Sequence, residues 1–170
     1  MQAGLPSLSC AALHRSAHRG FTLIELVTVV MLLGVLSVVV APRAFTIHDL
    51  NARGFHDETL SFLRYAHKTA IAQRRTVCLA FTGNSVALAI AALPASSECA
   101  TALKGPAGQS PAVLTARPDA AYGVQPPDFG FNGLGQPVDL LGVVLPTQTL
   151  HVAGTSLSIV VESVTGYVHE

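Results

Sequence analysis

Catalytic motifs are missing from this chain of 170 residues. It has no G-x-S-x-G elbow, no H-E-x-x-H pair, no P-loop and no paired carboxylates at a telling spacing, so an enzyme is not expected. Charge is scarce too: Asp, Glu, Lys and Arg make up 12% of the chain with no net excess. What charge there is falls unevenly. Up to Arg75 eight basic residues stand against four acidic, whereas beyond it only Lys104 and Arg117 oppose Glu98, Asp119, Asp128, Asp139, Glu162 and Glu170. A C-terminal part carrying about −4 has the wrong sign for gripping phosphates, which counts against nucleic acid as the main partner.

Cysteine is confined to Cys10, Cys78 and Cys99. No histidine accompanies Cys78 or Cys99 at ligand spacing, so no metal centre is expected and no cofactor is implied. The histidines, His14, His18, His48, His56, His67, His151 and His169, are scattered. His48 and His56 can share a helix face with acidic neighbours, but solvated surface histidines explain them more simply than a ligand pair. No 20–50-residue repeat is visible. The length suits one small domain beside a long helix, without a second domain.

What the chain does have is a long apolar run with one acid in it. From Phe21 to Ala41 the only polar side chains are Thr22, Glu25, Thr28 and Ser37. At about 1.5 Å per residue such a helix reaches roughly the 30 Å of a bilayer's hydrocarbon core. A carboxylate at that depth costs about 2.5–3.5 kcal/mol on insertion scales and asks for a partner. Glu25 lies four residues after Phe21, one helical turn away. A cut between Gly20 and Phe21 would free an α-amine able to neutralise it, within the chain or from a neighbouring copy. An ordinary secretory signal fits poorly, because the small-residue stretch Val39-Val40-Ala41 runs into Pro42, which blocks signal peptidase. A plain anchor explains the hydrophobicity but leaves Glu25 unexplained.

The sequence Gly20-Phe21-Thr22-Leu23-Ile24-Glu25, with its basic leader and apolar continuation, resembles the class III signal of type IV pilins and type II secretion pseudopilins. The resemblance implies that a prepilin peptidase cuts after Gly20 and methylates Phe21. It also implies that Glu25 sets subunit register in a filament and that Pro42 loosens the helix. Partners would be other pilins or pseudopilins, the peptidase and an inner-membrane assembly platform. Arg15 and Arg19 precede the span, which favours a cytoplasmic N-terminus in the bacterial inner membrane and a periplasmic remainder despite Arg43 on the far side. Cys10 would then leave with the leader, while Cys78 and Cys99 would sit where disulfides persist. Paired, they close a loop worth about 3 kcal/mol in the chain-entropy model, with two free thiols the alternative.

Beyond Pro42 the helix should resume after a kink. Between about Asp49 and Arg75, Phe55, Phe62, Leu63, Ala66, Ala70 and Ile71 recur at spacings of three, four and seven, giving an amphipathic helix with one buried stripe. Past Arg75 short β-prone runs alternate with turn residues. Thr76–Phe81 and Ser85–Ile90 flank Gly83-Asn84 as a hairpin. Residues 94–111 read as a long loop, and Val138–Leu145, Thr149–Val152, Leu157–Val161 and Gly166–His169 as further strands. The fold class is thus α+β: a long N-terminal helix packed on a mostly antiparallel domain of one or two sheets. Its divisions are a leader at 1–20, an apolar polymerisation helix at 21–41, an amphipathic helix at 42–75 and a β-rich domain at 76–170.

The run Phe129-Gly130-Phe131-Asn132-Gly133-Leu134-Gly135-Gln136-Pro137 and the ending Ile159-Val160-Val161 … Thr165-Gly166-Tyr167-Val168 are similar to the GspH/FimT group of minor pilins and pseudopilins. Arg53–Glu58, Leu63–Ala66 and Arg74–Cys78 more narrowly resemble MshC-type minor pilins of mannose-sensitive haemagglutinin pilus systems. The FimT branch implies, as the alternative, a DNA-binding minor pilin for DNA uptake. This chain departs from it in having no Lys or Arg after Arg117.

Overall fold

The structure is a computed structural model that describes residues 21–44, 47–94 and 96–170; the side chains of 38–44 and 47 are not described. The chain divides into two compact units, with the boundary after Pro42.

Helix α1 runs Leu23–Ala44. Thr22 caps it: its Oγ1 accepts the Glu25 N–H at 3.3 Å, and its carbonyl accepts the Leu26 N–H at 3.2 Å. The spacing Thr-x-x-Glu ahead of an apolar run is that of a capping box. Inside the helix, the Thr28 hydroxyl donates to the Glu25 carbonyl at 2.9 Å and the Ser37 hydroxyl to the Leu33 carbonyl at 2.7 Å. Both hydroxyls are thus satisfied without water, as an apolar surrounding requires. Among the described residues no helix is long and apolar enough to cross a membrane; description of the α1 side chains stops at Ser37. The helix continues through Pro42, and α2 starts at Ile47. The break expected at Pro42 is thus not seen there: the residue is helical, and Phe45 and Thr46 lie outside the described residues.

The second unit is organised on α2, Ile47–Gln73. Ala52, Phe55, Thr59, Leu60, Phe62, Leu63, Ala66 and Ala70 are buried at the three-and-four spacing of one helix face. Ile71, assigned to that stripe by spacing, stays 44% exposed. It falls in the last turn, beside the chain reversal. There Arg74 takes φ 51°, and the Arg75 N–H reaches back to the Ala70 carbonyl at 3.2 Å. This left-handed residue ends the helix.

Strands β1 (Val77–Phe81) and β2 (Ser85–Ile90) form an antiparallel hairpin that opposes Phe81 to Val86. With β3 (Thr101–Ala102), β4 (Ala112–Thr115), β5 (Phe129–Phe131) and β6 (Pro137–Val138) they make one antiparallel sheet ordered β3-β2-β1-β5-β6, with β4 also on β2. A second antiparallel sheet is ordered β7-β8-β9, from Gln148–His151, Ser158–Val161 and Val168–His169. An isolated antiparallel bridge pairs Tyr122, in the loop between β4 and β5, with Val152, just past β7; there Gly123 N–H donates to the His151 carbonyl and Ala153 N–H to the Ala121 carbonyl, each at 2.9 Å. The core lies between α2 and these strands. Its rings run in a chain of tilted, edge and stacked contacts: Phe55 to Tyr122 (4.9 Å), Tyr122 to Phe81 (5.7 Å), Phe81 to Phe129 (5.7 Å) and Phe129 to Phe131 (5.6 Å).

The α+β architecture with mostly antiparallel pairing agrees with expectation, and two local readings need correction. Val138–Leu145 is not one strand. The Asp139 carboxylate accepts the N–H groups of Leu141 and Val143, each at 2.8 Å, and Gly142 turns through φ 87°. Side-chain-to-backbone bonds thus win over the apolar run. Phe129-Gly130-Phe131, assigned to no strand from the sequence, is itself the buried strand β5. A Cβ on Gly130 would come within 2.9 Å of the Val77 carbonyl, so glycine lets β5 lie close against β1.

Candidate processing and assembly site

Gly20 lies outside the described residues. Phe21 stands just before the cap and is 78% exposed, and Glu25 is exposed at the third helical position. Because the helix begins only at Leu23, Phe21 and Glu25 do not share a helical face. The relation between them rests on the Thr22 cap, which sets Glu25 in the first turn. Among the described residues no Lys, Arg or His lies within ion-pair distance of Glu25. Leu23, Ile24, Leu26, Val30, Met31, Leu32 and Leu33 are exposed on every side of α1. A helix apolar all round is one made to be surrounded by lipid or by other helices. The arrangement is therefore a carboxylate without an ion-pair partner among the described residues, at the head of a helix exposed and apolar on all sides. Thr22, which the sequence reading did not single out as a site residue, sets this start; the Thr-x-x-Glu spacing was the signal for it.

Cys78 on β1 and Cys99 in the 94–111 stretch are joined by a disulfide with Cα atoms 6.0 Å apart. It fastens that stretch beside the centre of the larger sheet.

Several cations that a phosphate-binding surface would need are already engaged. Arg64 Nε donates to the Val168 carbonyl at 3.0 Å, Arg75 Nε to the Ala91 carbonyl at 2.6 Å, and Arg117 pairs with Glu58 at 3.3 Å. A cleft of about 590 Å³ between α2 and β9 is lined by Arg64, His67, Lys68, Ile71, Tyr167 and Val168. His67 is held there through Nε2, 3.1 Å from the Thr165 carbonyl.

Two titrating groups stand out. His169 Nε2 lies 3.0 Å from Glu162 Oε1, and this hydrogen bond, helped by the Glu170 carbonyl, raises its pKa. Burial pushes the Tyr122 hydroxyl up to about 12, against a smaller lowering by its contact with Thr59 at 3.4 Å. The expectation that His56 is a solvated surface residue fails: it is fully buried, beside Asp57 and Glu170. Sequence spacing misses this because Glu170 arrives from the far end of the chain, beyond β9.

No curated protein and no solved structure matches the chain. Residues 15–41 match the prokaryotic N-terminal methylation motif. The segment holding Phe21, Thr22 and Glu25 is thus a type IV pilin-like N-terminal signal, and this chain carries it.

Proposed function

We propose that the chain is the precursor of a minor pilin or pseudopilin whose work is polymerisation rather than catalysis. The single observation that carries this reading is the methylation motif at 15–41, set on a capped, all-round apolar helix with Glu25 near its start. A prepilin peptidase cuts after Gly20 and methylates Phe21. The apolar segment, continuing in sequence through Ala41, anchors the product in the inner membrane with its β-rich domain outside the cytoplasm. An assembly platform then draws it into a filament with other pilins. Lipid contacts give way to helix contacts there, so packing and the pairing of Glu25 with a freed Phe21 amine set the register.

At finer grain, the glycine-rich run around β5 and the ending around β9 favour a GspH/FimT-type subunit, with an MshC-type subunit of a mannose-sensitive haemagglutinin pilus as the narrower form. The DNA-uptake alternative has less support, since Arg64, Arg75 and Arg117 are engaged within the domain. N-terminal sequencing of the membrane-extracted product tests the reading: it should begin at methylated Phe21, and Gly20→Leu should leave full-length precursor. A product beginning at Met1 in the unsubstituted protein would refute it. Glu25→Ala should be cleaved yet absent from filaments; normal incorporation would remove the docking role.

A further inference from the structure

His56 takes no part in assembly as just described, and its surroundings are unusual. The ring is fully buried in α2. Its Nδ1 lies 3.1 Å from Asp57 Oδ1 and 4.0 Å from Glu170 Oε1, while its Nε2 is buried without a hydrogen-bond partner. Asp57 comes from the same helix and Glu170 from the segment after β9. Two elements thus bring two carboxylates to one imidazole nitrogen, and the three donor atoms lie within 4.8 Å of one another. Among the described residues neither carboxylate has a Lys or Arg within ion-pair distance.

Two like charges converging on one nitrogen call for a cation. A metal ion on Nδ1 supplies that charge, the ring proton then residing on Nε2. One imidazole and two carboxylates suit zinc, which takes nitrogen and oxygen donors at about 2.0–2.2 Å and leaves a fourth, tetrahedral position for water. Donors around such an ion stand roughly 3.5 Å apart. The Asp57 separation is near this, and a small rotation of Glu170, whose side chain is 50% exposed, closes the rest. Calcium, which seeks six to eight oxygen ligands, is poorly served.

We propose that His56, Asp57 and Glu170 form a zinc site that clips the segment after β9 onto α2. The site stands independently of processing and assembly. The test uses the full chain in detergent micelles, stripped with chelator, with zinc chloride as the titrant in calorimetry and thermal melting. One zinc should bind per chain and raise Tm. Asp57→Asn and Glu170→Gln keep the side-chain shapes and leave the buried ring in place. Each should lower zinc affinity at least about tenfold, and the pair should abolish the Tm shift. Cobalt should give a tetrahedral visible spectrum that is lost in the same variants. Failure of the unsubstituted chain to take up one equivalent overturns the proposal. So does uptake that the double variant leaves unchanged, which would place the ion on other histidines.

Discussion

Tyr122 shows how one residue ties stability to pH. Its ring bridges Phe55 and Phe81 while its hydroxyl has only Thr59 beside it, and burial raises its pKa from 10.0 to about 12. A raised folded-state value means the unfolded chain loses the proton first. Its contribution is therefore complete below pH 10 and is lost as pH climbs towards 12. The loss is on the order of 2 kcal/mol. Denaturant midpoints should fall across that window, and Tyr122→Phe should flatten the fall; an unchanged alkaline slope would show that the ionisation lies elsewhere. At this scale Glu25 was legible because a lone acid in an apolar run is conspicuous. His56 was not: nothing local tells whether a histidine between Phe55 and Asp57 faces water or the core.

Among the elements, α2 and the first hairpin could be read directly, since their periodicities span enough residues to register. Strands such as β3, β6 and β9, two residues each, carry no period and depend on neighbours brought together by the fold. The crossing of the turn before β6 with the turn before β9 illustrates such dependence. Gly166 has φ 63°, and a Cβ there would run into the Gly135 carbonyl; Gly135 has φ 90° and sits under His67 and Ile71. Gly166→Ala should therefore cost more than about 2 kcal/mol in urea unfolding, from backbone strain and overlap together. Gly83→Ala, with open space around it, should cost under about 1 kcal/mol. Equal costs at the two positions would mean that the crossing yields more readily than its geometry suggests.

Across the whole molecule, two units with separate tasks follow from where hydrophobicity is placed: spread around α1, but gathered on one face of α2. The boundary between the two units falls after Pro42, where that pattern changes. The pairing of Tyr122 with Val152 could not be read from the sequence, because a single bridge between distant loops leaves no trace in local sequence. The Cys78–Cys99 link, with a separation of 21 residues, should contribute about 3 kcal/mol by restricting the unfolded chain. Cys78→Ala with Cys99→Ala should lower the urea midpoint accordingly while leaving the far-ultraviolet spectrum intact; no shift in midpoint would count against the entropic account. The same link bears on resistance to proteolysis. Leu93 lies within the closed loop and is 68% exposed, so a protease nick there would leave both pieces covalently together, and the broken backbone would separate only when a reductant is added.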